Sequence, residues 1–494
     1  MMNGDRAAQD DDLSMAAEHL AATVAGGQTA DTPESSSQFG VGTCDSTVSC
    51  VLNPHSAAQR ISFTQTGSPP HSSEEPDAIN LYASAAIDSK RSGVTLDVVG
   101  GGFAITRAGQ GGASGADSGK SSGGIWAMFA RDESRKPIVA NRSLMQNEFM
   151  DVALSEKTGA VKGVYSGARR GNRLSLQLAH FQQPQTKSKS ADLPKSAGYS
   201  LMQCDKIRVL HNDATVGVVH VKGRIVRPVD GSDTDKERTP EPSDIIAATV
   251  DLRYILTRGS RWLRLQGSIT PNIELGDDPW QSYFCIRAGF ASEIIDTYSL
   301  SGNKRARSSS RRLLSPLGVI IADEERRTSI SAHGMAAFRD RGAKRFDTLI
   351  GVGGQTRHDF CVDFGMDLPR PIPAAIARIV PPSIVAMDAA SIDDDNPASG
   401  WLVHLSAPSV LLTTLRHEPT DKHPERYAAY LVETGGKSVQ CRLSLFREIT
   451  SAWRPLPHLH HDRNSDKTET LEIADGAAVV PMVGHQVCKV YFTL

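Results

Sequence analysis

The chain has 494 residues, with 54 Lys+Arg against 56 Asp+Glu and a formal net charge of −2. That length admits about two to four domains and a large core. The balanced charge gives no reason to expect nucleic acid or an anionic membrane as partner, and no apolar run approaches the roughly 18 residues that cross a bilayer. The opening MMNGDRAAQDDDL is acidic and has no apolar core region, so no secretory signal is expected. Seven scattered cysteines suit reduced thiols, and a cytoplasmic location is expected. Cys44 and Cys50 are close together, but their spacing matches no zinc pattern.

Residues 11–25 predict an amphipathic helix, with Leu13, Ala17, Leu20 and Val24 near one face and Gly26-Gly27 ending it. With the polar stretch that follows, it makes an N-terminal segment, 1–47. Val48 to Val51, Arg60 to Thr64 and Val94 to Thr106 read as strands of a small β domain, 48–140. That domain is interrupted by a Ser/Pro-rich insertion at 65–92 and a Gly/Ser loop at 109–124. From Leu144 onward short strand patterns recur almost without helical periodicity. Polar or Pro-rich spacers separate them at 183–198, 230–243, 301–312, 369–398 and 455–469. So many short strands imply an all-β architecture, and the lack of a clean repeat argues against a propeller. A large sandwich over 141–370 and a C-terminal β module over 371–494 fit this pattern.

The most explicit signal lies between Thr249 and Phe290. Val250, Leu252, Tyr254 and Leu256 alternate with polar residues, as do Leu263, Leu265 and Ile269, and Gly259-Ser260 stands between the runs. This predicts a hairpin closed by a type II′ turn. A third run, Trp280 to Phe290, is expected to complete an antiparallel meander.

Several stretches imitate chemical motifs. Ser114 to Ser121 resembles a phosphate-binding loop, but Ser114 stands where that motif needs Gly and no helix follows. Gly100-Gly101-Gly102 leads into a strand, which is not a dinucleotide fingerprint. His211 with Asp213, and the loop His458, His460, His461 and Asp462, could hold a metal, yet a solvated strand end and a solvated loop explain them more simply. The basic run Lys304, Arg305, Arg307, Arg311 and Arg312 lacks interleaved aromatics, so nucleic-acid binding is not expected. Asp393 to Asp395 lacks the Gly and Glu of a calcium loop. No catalytic or metal-ligating set is expected within this chain.

A sugar-binding composition remains. Carbohydrate sites place aromatic faces against the apolar side of a ring and planar polar groups against its hydroxyls. In GDDPWQSYFCIR, Asp277, Trp280, Tyr283 and Arg287 lie close together, with Arg261 in the preceding turn. A regular strand puts Gln281, Tyr283, Cys285 and Arg287 on one face. Trp280, Ser282, Phe284 and Ile286 then share the other, which looks like core. The Tyr283 face is either a ligand surface or a solvated strand face.

An ordered set of landmarks resembles the non-catalytic, C-terminal half of glycoside hydrolase family 38 α-mannosidases. These are NEFMDVALSEKTGAVKGVY, GNRLSLQL, YILTRGSRWLRLQGSI, GDDPWQSYFCIRAGF, SPLGVIIAD, RFDTLIGVGG and DGAAVVPMVGHQVCKVYF. The resemblance implies a large galactose-mutarotase-like β-sandwich flanked by smaller β-sandwich modules. In that family a barrel carries the zinc and the catalytic aspartate, and no αβ alternation here marks one. The resemblance thus implies no cofactor in this chain, with zinc on a separate catalytic barrel and mannose-containing glycans as partners. The alternatives are a stand-alone carbohydrate-binding module using Trp280, Tyr283, Arg287 and Arg261, and an epimerase or lyase using His333 or His358 as acid and base.

Overall fold

The computed structural model describes residues 47–53, 59–64, 93–98, 101–107, 139–166, 171–183, 198–212, 216–227, 245–379, 383–388, 399–455 and 468–494, apart from 295, 302–303, 324–325, 335, 343 and 422. The expected helix at 11–25, the Gly/Ser loop, Asp213, the 458–462 histidine loop and Asp393 to Asp395 lie outside these residues. The described chain is nearly all β, with one helix, Pro371–Ile379. Among the described residues no helix is long and apolar enough to cross a membrane.

Residues 115–379 form one compact unit. Its first sheet runs Lys304–Ser308, Asp296–Ser301, Gly318–Ala322, Arg327–Ala332, His358–Met366, Trp262–Pro271, Ile245–Thr257, Val216–Arg227 and Tyr199–Asn212, all antiparallel. The second runs Arg312–Leu314, Ala337–Gly342, Arg345–Gly351, Ser282–Phe290 and Leu174–Gln182. It continues through Val161–Tyr165, Asp151–Leu154 and Leu144–Gln146. Tyr199–Asn212 also bonds to Leu174–Gln182, which joins the two sheets. One core fills the space between them, with Leu252, Tyr254, Leu256 and Leu265 from the first sheet in the same cluster as Leu176, Phe284, Ile286 and Phe346 from the second.

The hairpin forms in the expected register, pairing Tyr254 with Leu265 and Leu256 with Leu263. Its turn differs from expectation. Ser260 N–H bonds to Thr257 O, and of the two central residues only Gly259 has a positive φ, of 80°. That is the pattern of a type II turn, not type II′. The Asn147 side chain holds both the Thr257 and Ser260 carbonyls at 2.8 Å, and Glu148 accepts Gly259 N–H at 2.9 Å. A neighbouring segment therefore selects the turn. The expected meander does not continue either. Trp262–Pro271 has His358–Met366 as its second neighbour, while Ser282–Phe290 lies in the other sheet. Seven consecutive residues of that strand, Ser282 to Ala288, are buried, and a strand covered on both faces belongs inside a sheet rather than at its edge.

The spacer expected at 369–398 contains the helix Pro371–Ile379, which falls in the large unit rather than in a C-terminal module. Ile372 and Ala375 pack on Leu300 and Ile320 of the first sheet. Arg378, at the helix end, reaches Asp363, which is fully buried and also takes both guanidinium nitrogens of Arg264 at 2.9 Å. His333 Nε2 lies 2.9 Å from the same carboxylate. Burial would raise the Asp363 pKa, but Arg264 and Arg378 hold it well below the ordinary range. Burial likewise works against a charged His333, yet the bond to Asp363 raises its pKa to about 9.

The other unit joins residues 1–114 to 380–494. Strands expected in separate modules share its sheets, in the order Ser383–Asp388, Thr47–Asn53, Gly102–Arg107, Ser399–Trp401. Leu52 and Phe103 enter the same core as Val410, Leu431, Val490 and Phe492. The expected division into 48–140 and 371–494 is thus replaced by one unit built from both ends of the chain. The physical reason is that the early strands have too little apolar surface to close a core alone.

Removing the buried carboxylate should leave three cationic groups without their counter-charge. Asp363→Asn is expected to lose about 3–5 kcal/mol in urea unfolding. His333 has a folded pKa near 9 against 6.5 for the free group. Its contribution is therefore complete below pH 6.5 and lost as pH rises through 9. The melting-temperature gap between wild type and His333→Gln should be open at about pH 6 and closed by about pH 10; a gap independent of pH would refute the charged pairing.

Candidate functional site

On the face of the second sheet turned away from the main core, cross-strand pairing lines up charged residues. Arg312 pairs with Arg339, Arg339 with Asp347, Asp347 with Arg287, and Arg287 with Gln177. Directly paired residues share a face, so this is one polar row across five strands. Beside it Phe181 pairs with both Tyr283 and Tyr199, and these rings cluster with Ala179, Cys285 and Leu349. The Phe181 ring lies 5.0 Å from each tyrosine ring.

The arginines lie over this aromatic floor. Arg287 sits 4.0 Å from the Tyr199 ring, Arg341 4.4 Å from Phe181, and Arg339 5.1 Å from Phe181. Guanidinium planes stack on aromatic faces with electrostatic gain, most when partly desolvated. Arg339 also donates to the Trp280 carbonyl, and Arg312 lies 5.6 Å from the Trp280 ring.

Asp347 sits beneath, with no exposed surface. Its Oδ2 accepts the hydroxyls of Tyr199 and of Tyr283, the latter at 2.7 Å. Its Oδ1 is buried without a hydrogen-bond partner among the described residues. Burial raises the Asp347 pKa, and the two phenol hydrogen bonds with Arg287 and Arg341 offset this only in part. Burial, then the Asp347 charge, holds both phenols protonated far above their usual range. Asp347 thus anchors the floor, and the half-buried Arg339, Arg341 and Trp280 present the accessible surface.

Of the residues expected to contact sugar, Trp280, Tyr283 and Arg287 come together in this site. Tyr283 and Arg287 share the non-core face as the strand period implies, but both are buried, at 0% and 8% exposure. Neither is a solvated strand residue, and they support the surface rather than form it. Trp280 does not join the main core as expected, because it precedes the strand and packs on the aromatic cluster instead. Asp277 is exposed in the loop before it. Arg261 is exposed and sits 4.3 Å over the Phe149 ring, outside this cluster. Sequence reasoning missed Phe181, Tyr199, Arg339, Arg341 and Asp347. A signal existed in RFDTLIG, where Asp347 stands beside Phe346 and ahead of Leu349 and Ile350 in a strand that is buried from Phe346 onward.

Among the described residues His333, Cys361 and Asp363 are close enough to share a metal ion. The donor set does not fit one. Both Asp363 oxygens accept from arginines, and the hydrogen bond to Asp363 keeps His333 protonated at neutral pH. The same facts deny His333 the role of a general base. His358 is 3% exposed, and burial lowers its pKa. The adjacent Asp359 carboxylate pairs with Arg357 instead. The acid–base pair required by an epimerase or lyase reading is not assembled from these histidines.

No family model matches the chain, and no curated protein matches it. Solved structures share its fold. A glycosyl hydrolase family 38 protein from Enterococcus faecalis matches 91% of this chain and 58% of its own, with 10% identity and a TM-score of 0.58. An alpha-mannosidase from Enterococcus faecalis V583 matches 91% of this chain and 56% of its own, with 9% identity and a TM-score of 0.57. A galactose mutarotase related enzyme from Lactobacillus acidophilus covers 45% of the chain at 8% identity and a TM-score of 0.24. The chain is thus an all-β protein of large and small sheets. It shares its fold with part of each of these two Enterococcus faecalis proteins, and it spans a little over half of their length.

Asp347→Ala should leave two buried phenols without an acceptor and cost about 2–5 kcal/mol in chemical unfolding. Asp347→Asn keeps an acceptor oxygen and removes a buried charge, so its loss should be less than half as large. Equal losses would show that the charge, not the acceptor, holds the floor together.

Proposed function

We propose that this protein handles carbohydrate, binding mannose-containing glycans on the arginine and aromatic face of the second sheet in support of a separate catalytic barrel. The observation that carries this reading is the row Arg312, Arg339, Asp347 and Arg287 laid beside Phe181, Tyr199 and Tyr283. Planar guanidinium groups donate paired hydrogen bonds to sugar hydroxyls, and the Trp280 ring offers an apolar face for the underside of a sugar. Arg339 and Arg341 are held by ring stacking, which reduces the entropy lost when they grip a ligand.

The fold likeness to an alpha-mannosidase supports mannosides as the ligand class. Hydrolysis itself needs two carboxyl groups about 5 Å apart around the scissile bond in a retaining enzyme. Asp347 is fully buried and accepts the Tyr199 and Tyr283 hydroxyls, and Asp363 is neutralised by Arg264 and Arg378. The chemistry, with its zinc, is placed by this proposal on a catalytic barrel, for which the face described here orients the glycan.

Calorimetry with manno-oligosaccharides should show weak, saturable binding that Arg339→Ala reduces by about tenfold. An unchanged affinity in Arg339→Ala and Arg341→Ala together would overturn the site. The purified chain should not release nitrophenol from the nitrophenyl α-mannoside; chelator-sensitive release by this chain alone would sink the division of labour. Binding that is unaffected by any partner chain would favour a stand-alone carbohydrate-binding module.

A further inference from the structure

The first sheet carries a cavity of about 500 Å³, separate from the site above, lined by Asp296, Tyr298, Arg305, Ile320, Asp323 and Arg326. It opens on the face turned away from the core, since Val319 and Ile321 enter the main core while Ile320 between them packs toward the helix. Arg327 and Asp367 also line it, and Leu368 and Pro369 add apolar surface. A volume of this size falls in the usual range for small-molecule sites, roughly 300–1,000 Å³.

Among the described residues the arginines that line it are not paired with its carboxylates. Asp296 accepts the Tyr298 hydroxyl at 3.0 Å, and Arg307 lies 2.5 Å from its other oxygen as an ion pair rather than an aligned hydrogen bond. Asp367 is occupied by two nitrogens of Arg173 and by the Arg327 N–H. Asp323 Oδ1 caps the turn by accepting Arg326 N–H at 2.7 Å. Two of the three carboxylates thus already have guanidinium partners from outside the lining. Arg305 is stacked 5.0 Å over Tyr298, and among the described residues no carboxylate lies within ion-pair distance of the Arg305, Arg326 or Arg327 guanidinium groups. Three like charges around one concavity repel one another, and an oxyanion bound between them removes that repulsion.

We propose that this cavity binds a sugar-sized molecule carrying an oxyanion, with Arg305 and Arg326 on the charged group and the Tyr298, Ile320 and Leu368 surface against the body. The guanidinium fork suits both phosphate and carboxylate, so the oxyanion is the shared chemistry. The site is independent of the Arg339 face, because it uses different strands of the other sheet.

The full chain should be titrated at low salt with mannose 6-phosphate, glucuronate, inorganic phosphate and mannose. At least one of the two charged sugars should saturate, weakening as salt is added, while mannose should not bind here. The phosphate and carboxylate arms identify the oxyanion. Arg326→Ala and Arg305→Ala should each weaken binding by about tenfold or more, and Arg326→Lys, which keeps the charge but loses the fork, should fall between. Arg357→Ala, at an arginine paired with Asp359, should leave this binding unchanged. Melting curves confirm that each variant is folded. The proposal fails if neither charged sugar binds below about 10 mM. It also fails if both alanine variants bind as wild type, or if inorganic phosphate binds as tightly as mannose 6-phosphate.

Discussion

The strand Ser282–Phe290 imposes the constraint on which this architecture depends, because it is covered on both faces. Phe284, Ile286 and Ala288 point into the main core, while Tyr283, Cys285 and Arg287 point to the opposite side. A polar group on such a strand cannot rely on water, so each must be satisfied by its neighbours. Tyr283 meets this by donating to Asp347, and Arg287 by lying over Tyr199. The aromatic and arginine layer follows directly: it is what a strand with Tyr and Arg on its second face requires in order to be buried.

Among the described residues of the 115–379 unit two carboxylates are completely buried, in opposite ways. Asp363 is surrounded by Arg264, Arg378 and His333, so its charge is stabilised despite burial. Asp347 is given two phenol hydrogen bonds on one oxygen and none on the other, and burial prevails. The first arrangement joins the helix to the sheet and serves the fold. The second leaves an unsatisfied acceptor beneath arginine side chains that rest on aromatic rings.

The two faces also divide the chemistry. On the second sheet the arginines are spread along a row and rest on aromatic rings, which suits an extended, hydroxyl-rich ligand. On the first sheet Arg305, Arg326 and Arg327 converge on one cavity with an apolar wall, which suits a compact ligand with a concentrated charge. A β-sandwich permits both proposed sites because the main core needs only the inner face of each sheet.

The sequence by itself determined the all-β class and the hairpin Ile245–Thr257 with Trp262–Pro271. Alternation is local: Leu252, Tyr254 and Leu256 can be buried together only if the segment is a strand of that register. It also placed Tyr283 and Arg287 on one face, by the same period. Period says which residues share a face, but not what lies against it. Tyr199 is separated from Asp347 by 148 residues, and Tyr283 from Asp347 by 64, so nothing in either neighbourhood announces the other. The type II turn at Gly259 was likewise decided at a distance, by Asn147 and Glu148. The helix Pro371–Ile379 was obscured by Pro371 and Pro373, although Ile372, Ala375 and Ile376 keep a helical spacing and pack with Leu300 and Ile320. Strand identity is encoded by neighbours in the chain, whereas burial of the second face, the partners of Asp347 and the cavity beside Arg326 exist only once distant strands are hydrogen-bonded side by side.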